Sequence, residues 1–221
     1  MIACLYSGGK DSALAVHRMG EMGRGVELLV TMVPENDFSY MFHKPNISFT
    51  PMQAKAMGIA QAMASTKGEK EMELEDLERA LEENGVTELV TGAVASTYQR
   101  DRINAICGKL GIVHTAPLWG IDSVAELGEI ARRFNAIVTR VSAEGLDQSF
   151  LGRRIDNEMI GRLIKINRRY KINMSFEGGE AESFVLDAPL FRKSIRITRS
   201  HVEWAGSAGS YVIDEAVLED K

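Results

Sequence analysis

The residues best suited to chemistry form the short loop Ser7-Gly8-Gly9-Lys10-Asp11-Ser12, which follows an apolar run at residues 2–6. Backbone N–H groups of a Gly-rich turn before a helix lie at the positive end of the helix dipole, where phosphate is stabilised. The glycines let the backbone approach an anion closely, and the serines add hydroxyl donors. The loop therefore predicts a phosphate-binding site.

Two common phosphate loops do not fit this segment. A Walker A loop would need Gly where Cys4 stands and Ser or Thr where Asp11 stands, and a Gly-x-Gly-x-x-Gly fingerprint cannot be written onto residues 7–13. What remains is Ser-Gly-Gly-x-Asp-Ser, which resembles the pyrophosphatase loop of the N-type ATP pyrophosphatases. That resemblance implies that ATP is cleaved between its α and β phosphates to activate a carboxylate or carbonyl oxygen.

Asp11 is an acidic residue within this loop. A carboxylate beside a bound phosphate would repel it unless a cation lies between them, and Mg²⁺ is the cation that usually accompanies nucleotide phosphates. We therefore predict Mg²⁺ at the site, with Asp11 as its ligand.

Three further segments narrow the family: residues 96–102 with two arginines two apart, residues 143–153, and the acidic Gly-Gly turn at residues 177–183. Together with the loop they resemble the diphthine–ammonia ligase family, which completes diphthamide on a histidine of elongation factor 2 in archaea and eukaryotes. The resemblance covers nearly the whole chain, in the compact archaeal form. Ala181 and Ser183 depart from many members, which have an aromatic residue and Thr there.

The resemblance implies an acyl adenylate that ammonia converts to an amide, with release of AMP and pyrophosphate. It assigns catalytic roles to Asp11, Lys10, Arg100 and Arg102, nucleotide binding to Ser7, Gly8, Gly9, Lys10, Asp11, Ser12, Met32 and His43, and acceptor binding to Tyr98, Glu177, Gly178, Gly179, Glu180 and Glu182. Carboxylates or an aromatic face would favour the trimethylammonium group of diphthine. Three carboxylates in six residues also repel one another unless a cation is near. The alternatives without a functional role are a solvated hairpin tip for the acidic turn and a charged surface helix for the two arginines.

The nitrogen donor is expected to be free ammonium. A glutaminase would need a nucleophilic Cys or an additional domain, and the two cysteines, Cys4 and Cys107, stand in an apolar strand and a helix. The four histidines lack zinc-ligand spacing, and His43 alone lies in a long segment that could cover nucleotide.

The composition excludes several other classes of protein. A net charge of −5 and a pI near 5.5 lack the basic character of a nucleic-acid binder, so no nucleic acid is expected. Lys and Arg do cluster on a helix within residues 153–171, which predicts a solvated face or a docking face. The chain has two cysteines without the spacing of a disulfide framework, no leader pattern and no apolar stretch of about 20 residues. These features predict a soluble cytoplasmic protein with no membrane contact. Whether it forms a homo-oligomer is left open.

Periodicity predicts alternating strands and helices followed by a change of pattern. Strands are expected at residues 2–6, 27–33, 59–64, 89–94, after Gly111, and at 136–141, 194–198 and 211–218; helices are expected at 10–22, 50–57, 69–83, 97–110, 123–133 and 156–170. This order predicts a mostly parallel sheet, and the resemblance implies an α/β, HUP-like fold with five parallel strands flanked by helices. We expect a nucleotide-binding domain at residues 1–142 and a smaller α+β substrate-binding subdomain at 143–221.

Two other functions remain open. One is an ATP pyrophosphatase that modifies tRNA by thiolation or base modification, with the basic helix as its docking face. The other is a non-catalytic module that binds ATP or AMP. Salt-sensitive tRNA binding would favour the first, and absence of AMP and pyrophosphate production would favour the second.

Overall fold

The first sheet is parallel and has five strands. The computed structural model describes residues 1–35, 46–67 and 72–221. The strands are β1 (Ile2–Leu5), β2 (Leu28–Pro34), β3 (Ala60–Thr66), β4 (Glu88–Val90) and β5 (Val113–Thr115). In the central strand, Cys4 pairs with Leu29 of β2 and Val90 of β4, and all three side chains are fully buried. The predicted five-stranded parallel sheet is confirmed.

The strand order is β3-β2-β1-β4-β5, so β2 and β4 lie on opposite sides of β1. In open α/β sheets, ligands bind where the strand order reverses in this way, beyond the carboxyl ends of the strands. The loop after β1 carries the Ser7–Ser12 segment, and the loop after β4 comprises residues 91–96. Strand order alone therefore brings these two loops to one crevice.

The described residues form six α-helices, which cover the sheets and have bounds close to those predicted. They are α1 (Lys10–Glu21), α2 (Thr50–Met57), α3 (Met72–Glu83), α4 (Thr97–Leu110), α5 (Ser123–Arg133) and α6 (Asn157–Tyr170), with short 3-10 turns at Ile47–Phe49 and Gln148–Phe150. Gly58 and Gly111 end α2 and α4 with φ angles of 70° and 67°, which glycine adopts without steric cost. The predicted start of the third helix at residue 69 lies outside the described residues. No helix in the described part of the chain is long and apolar enough to cross a membrane.

The second sheet is antiparallel and contains β6 (Asn135–Val141), β7 (Ala181–Asp187), β8 (Lys193–Ala205) and β9 (Ala208–Asp220) in the order β7-β6-β9-β8. The position of β6 after α5 predicted another parallel strand, and this was wrong, because β6 pairs antiparallel with β7 and β9. Its buried run of apolar residues fits a central strand of either kind. The sequence missed β7, and the predicted strands 194–198 and 211–218 are parts of the longer hairpin β8–β9.

The two sheets share one apolar core. Leu14 and Leu29 from the first part of the chain belong to the same buried cluster as Leu127, Phe150 and Phe184 from the second part. The change from parallel to antiparallel pairing falls between β5 and β6, ahead of residue 142. The division into domains at residue 142 stays a prediction.

Candidate active site

A cavity of about 480 Å³ opens beyond the carboxyl ends of β1 and β4. Five segments form its walls: the loop after β1, the loop after β4 with the start of α4, β2 at Met32, the 3-10 turn at Ile47, and the turn at residues 176–182. The predicted site residues that line it are Ser7, Asp11, Ser12, Met32, Tyr98, Arg100, Glu177, Gly178, Gly179 and Glu182. The cavity thus brings the predicted phosphate loop and the predicted acceptor turn together.

The phosphate loop is held by contacts from both halves of the chain. Gly8 has a φ of 80°, and a Cβ there would lie 2.7 Å from the side-chain oxygen of Gln53. Its carbonyl accepts hydrogen bonds from Gln53 Nε2 and Val185 N, each at 3.0 Å. Gly9 is the N-cap of α1 and offers no side-chain cap, and the acceptor that reaches the first turn is the neutral Ser183 hydroxyl, which accepts from Lys10 N at 3.0 Å. This arrangement suits an external anion.

The loop after β4 touches the phosphate loop through a glycine that the sequence reasoning missed. A Cβ at Gly92 would lie 2.6 Å from the carbonyl carbon of Asp11 and 2.7 Å from the backbone nitrogen of Ser12. Backbone atoms cannot yield as a flexible side chain can, so a glycine is required here. The signal in the sequence was a glycine directly after a buried strand, which also fits an ordinary turn.

Lys10 was expected to donate to phosphate, but the structure turns its ammonium away from the main cavity. The side chain is 1% exposed, and Nζ donates to Glu126 Oε1 at 2.6 Å, to the Ser175 carbonyl at 3.0 Å and to Asp11. An ammonium has three donors, and all three are used. Burial lowers the pKa of Lys10, but the Asp11 and Glu126 carboxylates raise it more, so the net shift is upward and the group stays charged.

Glu126, which accepts from Lys10, has a different role in the structure from the one that its local sequence pattern indicates. Ser123 and Glu126 have the Ser-x-x-Glu spacing of a capping box, but Asp122 caps α5 by accepting from Val124 N at 3.1 Å and Ala125 N at 2.9 Å. Glu126 points inward and is 0% exposed. Burial, followed by the Asp11 carboxylate, raises the pKa of Glu126, and the Lys10 ammonium opposes this rise. The available signal was a charged residue on the apolar face of an amphipathic helix.

Neighbouring backbone groups supply hydrogen bonds to two carboxylates of the acidic turn. Glu177 accepts from Val94 N and Ala95 N, each at 2.6 Å, and Glu180 accepts from Asn173 N and Gly178 N, each at 2.9 Å. Backbone N–H groups thus stabilise these two carboxylates, whereas the expectation that the turn meets a cation stays a prediction. Glu180 does not line the cavity in the described part of the chain, whereas Glu182 does.

The aromatic and basic side chains at the start of α4 stack in pairs. The Arg102 guanidinium lies 3.7 Å from the centre of the Tyr98 ring, and that of Arg100 lies 3.9 Å from the centre of the Trp119 ring. Arg100 and Tyr98 line the cavity, whereas Arg102 is not among its lining residues. Arg102 thus covers one face of Tyr98 rather than facing the predicted reaction centre.

Two family models match the chain. The diphthamide synthase N-terminal domain matches residues 1–114, and the diphthamide synthase C-terminal domain matches residues 122–218. The chain belongs to the diphthamide synthase family. The phosphate loop lies in the part matched by the N-terminal model, and Glu126 and the acidic turn lie in the part matched by the C-terminal model.

Two curated relatives of this chain share the name diphthine–ammonia ligase. A protein from Schizosaccharomyces pombe named diphthine–ammonia ligase is 31% identical over 98% of this chain, which spans 39% of that protein. A Bos taurus protein of the same name is 31% identical over 91% of this chain and 84% of its own length. The expected resemblance to this family is confirmed. A solved Methanocaldococcus jannaschii structure titled predicted subunit of tRNA methyltransferase is 15% identical, covers 85% of this chain and 96% of its own, and has a TM-score of 0.45, too low to assign a shared fold.

Met32 and His43 are the remaining predicted nucleotide-binding residues of this diphthamide synthase chain, whereas His114 was given no role at the site. Met32 lines the cavity at the end of β2. His43 lies outside the described residues. His114 is tied to Thr91 at 2.9 Å and to Asn104 at 2.6 Å, which makes it part of the scaffold beside the β4 loop.

A metal would need ligands from the substrate as well as from the protein. Residues 1–35, 46–67 and 72–221 contain no group of three or more His, Cys, Asp or Glu side chains suited to a metal ion. The Asp11 side chain is 31% exposed and borders the cavity. Mg²⁺ in nucleotide sites is commonly held by one or two carboxylates together with phosphate oxygens, and a single cavity-facing Asp fits that pattern.

Proposed function

We propose that the chain is a diphthine–ammonia ligase, which uses ATP and ammonium to amidate diphthine on elongation factor 2. The observation that carries the proposal is the cavity that joins the phosphate loop of the first sheet to the acidic turn of the second. Family membership and the names of the relatives support the same activity.

The proposed reaction has two steps. The diphthine carboxylate attacks the α phosphorus of ATP, the bond between the α and β phosphates breaks, and pyrophosphate leaves with the electron pair. Ammonia then attacks the acyl adenylate, AMP leaves, and a proton is released to water. We assign stabilisation of the phosphate charge to the N–H groups of the uncapped α1 terminus, the Ser7 and Ser12 hydroxyls, and the cavity-facing Arg100.

Mg²⁺ is part of this proposal, with Asp11 as the protein ligand. Bound there, the ion would offset charge on the β and γ phosphates and so favour departure of pyrophosphate. The part that this chain supplies is the carboxylate of Asp11, fixed at the first turn of α1 between the cavity and the Lys10 ammonium.

The acceptor would enter beside the acidic turn. Glu182 and Tyr98 both line the cavity, and we assign recognition of the trimethylammonium group to this carboxylate and this ring, with Gly178 and Gly179 shaping the entrance. Met32 would contact the nucleotide from the opposite wall.

Free ammonium is the proposed nitrogen donor. Cys4 and Cys107 are both buried, and burial raises the pKa of both thiols, that of Cys107 to about 11. Thiols held neutral in this way are poor nucleophiles, so neither supports a glutaminase reaction. A reducing cytoplasm is the setting that we propose for both steps.

The direct test is reconstitution of the reaction. The protein is incubated with ATP, Mg²⁺, ammonium and elongation factor 2 carrying diphthine, and the peptide mass and the nucleotide products are followed. We expect conversion of the diphthine carboxyl to an amide with stoichiometric AMP and pyrophosphate. ADP as the product, or a peptide of unchanged mass, would contradict the proposal.

An ATP pyrophosphatase acting on tRNA is the second candidate, and α6 favours it. Lys165, Arg168 and Lys171 are exposed on this helix, and no acidic partner is found for them in the described part of the chain. When exposed cations such as these contact the phosphates of a nucleic acid, its binding weakens steeply as the salt concentration rises. Tight, salt-sensitive tRNA binding together with AMP formation that depends on tRNA would support this candidate over the ligase.

A further inference from the structure

A buried ion pair lies beneath the phosphate loop and connects the two halves of the chain. Lys10 belongs to the part matched by the N-terminal family model, and Glu126 to the part matched by the C-terminal model. Their side chains are 1% and 0% exposed, and Nζ lies 2.6 Å from Oε1. Glu126 is not among the residues that line the cavities found in the described part of the chain, so it does not face the nucleotide.

The surroundings of Lys10 fix the direction of its ammonium. The Ser175 carbonyl accepts a second hydrogen bond at 3.0 Å, and the Phe176 ring centre lies 5.4 Å from Nζ. Residues 175 and 176 lead into the acidic turn, so the ammonium is held from the side of the second sheet. Its third donor goes to Asp11, which alone among these acceptors faces the main cavity.

We propose that Glu126 is a positioning residue. By accepting from Lys10 it holds the ammonium below the loop, so that the ammonium does not take over the Asp11 carboxylate that a divalent cation would use. Neither Lys10 nor Glu126 touches the nucleotide. The proposal rests on the proposed function to the extent that Asp11 meets a metal–nucleotide complex.

Partners of a buried ion pair behave differently when they are removed singly and together. Removal of one partner leaves an uncompensated buried charge, whereas replacement of both by apolar residues of similar volume is often neutral. In Glu126→Met the ammonium keeps only Asp11 and the Ser175 carbonyl, so it is drawn toward Asp11 and competes with a divalent cation there. In the double variant Lys10→Met with Glu126→Met, both charges are absent and Asp11 remains at the cavity.

Metal–nucleotide binding tests this without turnover. The probe is Mn²⁺ with α,β-methylene ATP, which cannot be cleaved between the α and β phosphates, and free Mn²⁺ is measured by electron paramagnetic resonance. Loss of a residue that orients a metal ligand commonly weakens metal binding tenfold or more, so we expect about tenfold weaker binding for folded Glu126→Met. Glu126→Gln keeps an oxygen acceptor and should stay within about threefold of the wild type, as should the double variant.

Glu129→Met is the matched control. Glu129 lies on the same helix and pairs with Arg18 and, at 3.3 Å, with Arg133, away from the loop. It should change the unfolding temperature without changing Mn²⁺ affinity. Unchanged affinity in folded Glu126→Met, or a loss greater than about thirtyfold in the double variant, would overturn the proposal, the latter because Lys10 would then contact the nucleotide. If Glu126→Met does not fold, the double variant decides.

The failure of this proposal differs from the failure of the proposed function. A wild-type protein that binds Mn²⁺ and the ATP analogue but does not amidate diphthine leaves the positioning role intact and removes the acceptor. A wild-type protein that binds no metal–nucleotide complex overturns the positioning role as well.

Discussion

Two Gly-Gly turns face each other across the cavity, and they differ in how their hydrogen-bonding groups are used. The Ser7–Ser12 loop presents the uncapped terminus of α1. In the turn at residues 177–183, two carboxylates already accept four backbone N–H groups. The first turn therefore has donors available for an incoming anion, whereas the second is largely satisfied before any substrate arrives.

This difference changes how the acidic turn is understood. Glu177 joins the turn to the β4 loop, which in turn contacts the phosphate loop at Gly92. A carboxylate that bridges loops 82 or 83 residues apart in sequence organises the cavity more than it offers charge to a ligand. Glu182 also lines the cavity, from within β7, and it is the glutamate that the proposed function assigns to the acceptor.

The largest effect is expected at the phosphate loop. Asp11→Ala should reduce AMP formation by at least about a hundredfold, because the fixed carboxylate for the metal is lost. Circular dichroism should show a folded protein, since Asp11 is partly exposed. Glu158→Ala, which removes an exposed carboxylate on α6, should keep normal turnover. Normal turnover in Asp11→Ala would remove the loop from the mechanism and with it the contrast between the two turns.

A smaller effect is expected where the two loops touch. Gly92→Ala should destabilise the protein by about 1–3 kcal/mol, because the added methyl meets the backbone of Asp11 and Ser12. Nucleotide binding should weaken with it, since the loop must move. Gly108→Ala is the control, because it lies within α4 with nothing within 4 Å of its Cβ position, and it should stabilise by about 1 kcal/mol. Urea unfolding measures both, and equal effects would contradict the close approach.

The first sheet could be predicted from the sequence because its signals are local. β1 and the start of β2 are continuous apolar runs, and the helix stops at Gly58 and Gly111 follow from backbone geometry alone. The phosphate loop was found for the same reason, since strand, Gly-Gly turn and helix are adjacent in the chain.

The rest depends on contacts between distant residues. The sequence shows that β6 is buried but not which strands it pairs with, so its antiparallel placement could not be predicted. Glu126 lies 116 residues from Lys10, and no local pattern connects them. Likewise, the sequence shows no partner for the Glu177 carboxylate, because its donors are backbone N–H groups of another loop.

The acidic turn itself can be tested by comparing two of its glutamates. Glu177→Gln should destabilise the protein by about 1.5 kcal/mol, because a charge-assisted bond is lost and an amide N–H₂ group faces a backbone N–H. Glu180→Gln should cost less, because its donors, Asn173 N and Gly178 N, lie only 7 and 2 residues away in the chain. Urea unfolding and the KM for the acceptor are measured. A raised KM without loss of stability in Glu177→Gln would show that this carboxylate binds substrate instead.

The smallest effect concerns pH and contrasts one histidine beside the β4 loop with one on the β8–β9 hairpin. Burial, followed by Arg100, lowers the pKa of His114 below its ordinary value of about 6.5. The unfolded chain then binds a proton before the folded one as pH falls, so stability decreases between the ordinary value and the lower folded pKa. His114→Gln should therefore show a smaller fall in Tm between neutral and mildly acidic pH.

The control is His201 on the β8–β9 hairpin. Asp214, followed by Glu203, raises the pKa of His201, so protonation of this residue stabilises the folded state at low pH. His201→Gln should therefore show a fall in Tm that is no smaller than that of the wild type. Identical pH profiles for the two variants would mean that the burial of His114 beside the β4 loop has no influence on stability.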